Sequence, residues 1–248
     1  MSLRDSNLRQ LPQKLFDADG EFAAKLRNVD CANNKLTTIP REIAACVNIA
    51  RLVLSNNALV TLPDEITALV KLKSLYVDDN ALVELPESLG ALKALVTLSA
   101  KGNKLRTLPS SISHCTKLNT VRVSRNRDLD SSALDALSGC TALEEVDASD
   151  CALTLVPASF GQLRALKVLN IDNNPCVETI PTSVFKNCID LTRITAHGCL
   201  IRNIEYVDGY EAYIARVRDR HGKIISGNSM IVDTQRGLDY GFDHLRDA

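Results

Sequence analysis

The chain has 248 residues, 45% of them hydrophobic, and sets 29 Lys and Arg against 30 Asp and Glu for a formal charge of -1. That apolar content fills a sizeable core in one or two domains and excludes an intrinsically disordered chain. A charge so close to zero also excludes a global basic field for nucleic acid or an anionic membrane, so any charge selectivity is local.

No stretch of about eighteen apolar residues is present, so no membrane insertion is expected. The opening Met1-Ser2-Leu3-Arg4-Asp5 has neither the basic nor the apolar region of a signal peptide. Ser2 accepts no myristoyl group, and the ending Leu245-Arg246-Asp247-Ala248 offers no prenylation site. These features predict a soluble, cytoplasmic protein. Trp is absent and aromatics make up only 4%, which suits a core of aliphatic side chains at repeated spacing.

From the N-terminus, a degenerate first turn runs through Ser6, Leu8, Leu11 and Pro12, with an insertion from Phe16 to Phe22 placed to fold over the open end of a core. The pattern then becomes regular, with Asn34, Asn57, Asn80, Asn103 and Asn126 falling 23 residues apart each time. In full the frame reads Leu72-x-x-Leu75-x-Val77-x-x-Asn80-x-Leu82-x-x-Leu85-Pro86-x-x-Leu89-x-x-Leu92. Alternation over 72–78 predicts a short strand with Leu75 and Val77 inward and Ser74, Tyr76 and Asp78 outward. Beyond the strand the chain turns in a crowded interior, where backbone groups need partners. An Asn side chain offers both donors and an acceptor, which predicts a ladder of stacked asparagines. Proline recurs at Pro12, Pro40, Pro63, Pro86, Pro109, Pro157 and Pro181, fixing φ as the chain turns onto the far side.

The sixth turn, after Asn126, carries two extra residues and no proline, which predicts a local bulge over Asp128 to Ser132. The frame resumes with Cys151, Asn174 and Cys199 at the Asn position, spaced 25, 23 and 25, for about nine turns in all. One such unit cannot bury its own apolar face, so stability is collective. Past Ile204 the residues Val207, Tyr210, Ile214 and Val217 recur at helical spacing with Arg216, Arg218 and Arg220 off the stripe, which predicts a lid helix. Residues 1–204 are read as the solenoid, 205–223 as a C-terminal capping helix and 224–248 as an extended or disordered tail.

This internal repetition resembles the leucine-rich-repeat family over about residues 1–204. The resemblance implies an α/β solenoid: a horseshoe with parallel strands on the concave face, short helical or irregular convex turns and a closing helix. The Leu62-Pro63-Asp64-Glu65-Ile66 form of the turn is similar to the Ras-group or plant-intracellular class, whose members are typically intracellular binding modules. The long first repeat and the ending Asp208-Gly209-Tyr210-Glu211-Ala212-Tyr213 resemble the group of small proteins around leucine-rich-repeat-containing protein fifty-seven. The chain departs from that group at Ser2, where a Gly suited to acylation would stand.

Eight cysteines suggest a metal or disulfide framework, but the repeat frame absorbs seven of them. Cys46, Cys115, Cys140 and Cys188 take the core position of Leu69 and Leu92, Cys31 takes that of Leu54, and Cys151 and Cys199 replace ladder asparagines. Only Cys176 lies in an inserted turn, and no Cys-x-x-Cys pair exists. No phosphate-cradling loop or nucleophile motif is present, and His114, His197, His221 and His244 are scattered. Asp78 and Asp79 are read as a solvated face rather than an acid pair. An enzyme, a cofactor and a metal are therefore not expected.

Repeat solenoids bind through their continuous concave surface. The outward positions comprise an apolar spot at Val53 and Tyr76 beside Arg51, a basic patch at Lys101, Arg122 and Arg125, and an acidic region at Glu145, Asp147 and Asp172, with Asp78 and Asp79 bordering the basic patch on the other side. An aromatic beside arginines is the composition of a binding hot spot. The expected function is a non-catalytic adaptor or scaffold holding a protein partner, as a monomer or a subunit of a hetero-complex. The alternatives are a structural subunit docking by its ends and tail and, by the resemblance alone, a regulator of Ras-like GTPase signalling.

Overall fold

The computed structural model describes residues 1–16 and 21–226. The central part of the 16–22 insertion and the tail from 227 onward lie outside the described residues.

Eight three-residue strands follow one another in a single parallel sheet: β1 (Asn28–Asp30), β2 (Arg51–Val53), β3 (Ser74–Tyr76), β4 (Thr97–Ser99), β5 (Thr120–Arg122), β6 (Glu145–Asp147), β7 (Val168–Asn170) and β8 (Arg193–Thr195). Each residue pairs with its counterpart one repeat on, as Leu52 with Leu75 and Leu75 with Leu98. A parallel bridge from Ser2 to Asp30 adds the degenerate first turn, the ninth. The pleat sends Leu75 and Val77 into the core with no exposed surface, as their alternation dictates. Leu82, Leu85, Leu89 and Leu92 complete the same repeat, all buried. At about 1.5–3 kcal/mol for each fully buried aliphatic side chain, the stack rather than any single turn carries the stability.

The Asn positions form the expected ladder, but its rungs run from side chain to backbone. Asn80 Nδ2 donates to the carbonyls of Leu54 and Val77, each at 3.0 Å, and its Oδ1 accepts the N–H of Leu59 at 3.0 Å. Each Asn thus ties its own turn to the preceding one. Cys151 and Cys199 keep part of this role, their thiols donating to Val123 O at 3.5 Å and Ile171 O at 3.2 Å. The other frame cysteines, Cys31, Cys46, Cys115, Cys140 and Cys188, are buried and free, and Cys176 is exposed.

On the convex side Pro40, Pro63, Pro86, Pro109 and Pro157 each immediately precede a five-residue 3-10 turn, such as Asp64–Ala68 after Pro63 at φ -71. The sixth turn departs from the expected bulge. Its two extra residues are taken up in an α-helical turn, Ser131–Asp135, where the Asp130 carboxylate accepts the N–H groups of Ser132 and Ala133 at 2.9 and 3.2 Å and supplies the cap that the missing proline does not.

At the C-terminal end a 3-10 turn, Ile204–Tyr206, leads to a helix over Tyr210–Ser226, longer at its end and later in its start than the 205–223 expected. Gly209 sets the start: its φ is +92, and a Cβ there would run into Phe185 and Lys186. Tyr213 and Val217 close the last repeat, with the Phe185 ring 5.5 Å from both Tyr210 and Tyr213. Arg216, expected off the stripe, is half-buried instead, its guanidinium donating to Phe185 O at 2.5 Å. That bond caps a carbonyl that the final convex turn leaves without a following repeat.

Candidate protein-binding face

The strand pleat and the constant register align the outward side chains in rows across the concave face. In the central row Asp30, Val53, Tyr76, Ser99, Arg122, Asp147, Asn170 and Thr195 are direct neighbours. One row over come Asp78, Lys101 and Asp172, and beyond them Asp79, Arg125 and Asp150 at the turn.

The basic and acidic groups are not separate patches. Arg122 forks onto Glu145, with Nε and Nη2 at 2.8 and 3.1 Å from the two carboxylate oxygens. That hydrogen bonding raises the Arg122 pKa against the opposing effect of burial, so the guanidinium is held charged. Lys101 Nζ lies 3.2 Å from Asp147, and Arg125 reaches Asp79 two repeats away at 2.8 Å. Repeats one apart (Arg122–Glu145) and two apart (Lys101–Asp147, Arg125–Asp79) place complementary charges within reach of one another, which a linear reading by strand does not reveal. The result is one interdigitated charge strip in fixed geometry.

Two further expectations change. Val53 is only 8% exposed, its short side chain lying in register between Asp30 and Tyr76, so the apolar spot reduces to the half-buried Tyr76. The Arg51 guanidinium stacks over that ring, 4.5 Å from its centroid. Asp78, in turn, is occupied by its neighbours: it accepts from Ser99 Oγ at 2.5 Å and from the Lys101 N–H at 2.9 Å. Asp147 accepts from Ser149 at 2.9 Å, Ser124 at 3.0 Å and Asn170 at 3.0 Å. Burial pushes its pKa up, but the two serine hydroxyls and Lys101 outweigh that and hold it below the usual carboxylate value. Asp172 meets His197 Nδ1 at 3.0 Å.

The residues that position this strip without being singled out by sequence reading are Ser99 and Ser124, which donate to the carboxylates, and the row of left-handed residues before each ladder position. In that row Asn33, Asn56, Asp79, Arg125, Asp150 and Asn173 have φ between 52 and 60, and Gly102 and Gly198 join them. Asn, Asp and Gly tolerate that conformation, and their recurrence just before each ladder residue is the signal that marks it. Arg125 is the exception in the row. Its reach to Asp79 passes over Gly102, where a Cβ would strike the Asp79 carboxylate. Among the described residues no group of three or more His, Cys, Asp and Glu is arranged to hold a metal, and no helix is long and apolar enough to cross a membrane.

A leucine-rich-repeat family model matches residues 24–82, and a model of the BspA-type leucine-rich-repeat region matches residues 102–207. No curated protein matches in sequence. Among solved structures, a leucine-rich-repeat protein of Leptospira interrogans superposes with a TM-score of 0.71 at 26% identity, over 88% of this chain and 58% of that one. The leucine-rich-repeat domain of the type III effector XopL gives 0.71 at 25% identity, over 86% and 72%. The plant peptide hormone receptor RGFR1, solved in complex with RGF2, gives 0.62 at 25% identity, over 80% and 30%. The chain thus spans little more than half of the Leptospira protein and under a third of the receptor. With the open parallel sheet and the side-chain ladder, these matches establish that the chain belongs to the leucine-rich-repeat family.

Proposed function

We propose that this chain is a non-catalytic interaction module that holds a protein partner against its concave face, with Arg51, Tyr76, Arg122 and Glu145 at the centre of contact. Leucine-rich-repeat folds generally serve as protein-interaction modules, which supports the class of function. The observation that carries the site is the preorganised strip: an aromatic ring under one arginine, and a second arginine fixed by a two-point carboxylate fork. Groups already held in one geometry lose little freedom on binding, so more of their contact energy appears as affinity. Aromatic and arginine anchors of this kind dominate protein interfaces. In this reading residues 1–204 are the binding solenoid and the helix Tyr210–Ser226 its lid. The chain belongs to the Ras-group class and works in the cytoplasm as a monomer or a subunit of a hetero-complex.

The test compares affinity purification with the wild type, Tyr76→Ala and Arg122→Glu. Both variants should keep the native melting temperature within a few degrees and lose the same co-purifying proteins by about tenfold or more, as expected for hot-spot changes of 1.4 kcal/mol and above. Unchanged recovery from both would place the partner on another surface.

A further inference from the structure

The stretch that returns the chain from the convex turn into each strand carries a charge asymmetry that the concave face does not. In the first five repeats these stretches are residues 24–28, 47–51, 70–74, 93–97 and 116–120, and they hold seven Lys and Arg with no Asp or Glu; one of the seven, Arg51, turns onto the concave face over Tyr76, which leaves six on the flank. The corresponding stretches of the next three repeats, 141–145, 164–168 and 189–193, hold three of each sign. Five of the cations carry no carboxylate partner among the described residues. Arg27, Lys71, Lys73, Lys93 and Lys117 are exposed and make no ion pair among the described residues. Lys71 donates to the neutral Asn48 side chain at 2.6 Å and Lys93 to the carbonyl of His114 at 3.1 Å. In the balanced half, by contrast, Lys167 pairs with Glu144 at 2.7 Å.

Neighbouring strands lie about 4.8 Å apart, so the five repeats spread these cations over about 19 Å of one flank. Like charges held that close repel, and among the described residues no carboxylate pairs with Arg27, Lys71, Lys73, Lys93 or Lys117. Two apolar side chains stand exposed between them, Val47 at 40% and Val70 at 58%.

We propose that this flank is a second docking surface, separate from the concave face, for an acidic polypeptide segment with apolar residues set among its carboxylates. An extended chain rises about 3.3 Å per residue, so about six residues span the flank. Charge complementarity selects an anionic occupant, and the side chains between the cations select among anions. The five stretches contain no aromatic residue to stack on bases or to sit in a lipid headgroup layer. Two valines suit aliphatic anchors on a peptide.

The probe is a fluorescein-labelled decapeptide of Asp and Glu carrying two Leu, titrated with the full chain by fluorescence anisotropy. Single-stranded oligo-dT of equal charge and phosphatidylserine vesicles serve as competing ligand classes. The triple variant Lys71→Glu, Lys73→Glu, Lys117→Glu should weaken peptide binding at least tenfold. Lys35→Glu, Lys104→Glu, Arg106→Glu, a charge-matched set of exposed residues on the descending flank, should change it less than twofold. Wild-type binding should fall steeply as salt rises. The proposal is overturned if the peptide does not bind the wild type, if both triple variants weaken binding equally, or if oligo-dT or vesicles bind the flank more tightly than the peptide does. Thermal melts of both variants establish that each is folded, and none of these readouts depends on the concave face.

Discussion

Asn126 has no exposed surface, and its side chain binds backbone of two repeats: Nδ2 donates to Val123 O at 2.7 Å and Ala100 O at 3.0 Å, while Oδ1 accepts from Leu105 N at 3.0 Å. Asn126→Ala leaves these groups buried without partners and is expected to cost about 2–4 kcal/mol in urea unfolding. Asn126→Cys should cost less, because Cys151 and Cys199 show that a thiol reaches the equivalent carbonyls. Equal losses would mean that the hydrogen bonds contribute little beyond filling space. Gly102 makes a second test. With φ at +62 and the Asp79 carboxylate in the way of a Cβ, Gly102→Ala should cost about 1–2 kcal/mol and displace Arg125 from Asp79. The spacing of 23 disclosed the ladder residues because they serve the same backbone in each turn. It did not disclose Arg125, whose partner two repeats away depends on the glycine between them, nor the donation from Ser99 and Ser124, which depends on strand register.

At the scale of elements, strands and proline-led turns were legible because each rests on local chemistry: alternation for a three-residue strand, a fixed φ for a convex turn. The sixth turn was not, because two extra residues and a missing proline predict a bulge, whereas the chain forms a capped helical turn. Asp130 decides it by accepting both N–H groups at the helix start. The buried cysteines give a pH prediction. Burial pushes the thiols of Cys31, Cys151 and Cys188 up to about 11 and that of Cys140 up to about 12, from an ordinary value of 9.0. Folded values above the unfolded one mean that their contribution to stability is complete below about pH 9. It is lost as pH rises from there toward 12. The urea midpoint under reducing conditions should therefore fall across that window, and replacing Cys140 by Ala should flatten the fall. A maleimide should label Cys176 first, at pH 7.5, because it is the exposed thiol. At the lid, the Tyr213 ring is fully buried while its hydroxyl has no hydrogen-bond partner at bonding distance. Tyr213→Phe should be neutral or stabilising by up to about 1 kcal/mol, whereas Tyr213→Ala should cost about 3–5 kcal/mol, both read from thermal or urea melts.

Across the whole molecule, one repeated unit generates two surfaces of different electrostatic character. On the concave face, register brings opposite charges together, so Arg122 meets Glu145 and Lys101 meets Asp147. Such half-buried pairs give up part of their Coulomb gain to desolvation, and their consequence is a fixed arrangement of side chains beside an aromatic ring. On the returning flank the same register stacks like charges over five repeats. The net charge of -1 conceals both patterns, since charges of one sign on a flank are balanced elsewhere in the sum. The central claim, that the partner lies against the concave face, is tested most directly by site-specific photocrosslinking. A benzophenone side chain placed at position 76 should give a single covalent adduct with a partner protein. That adduct should disappear when Arg122→Glu is added, and none should form from the exposed convex position of Gln162. An adduct from position 162 with none from position 76 would contradict the account.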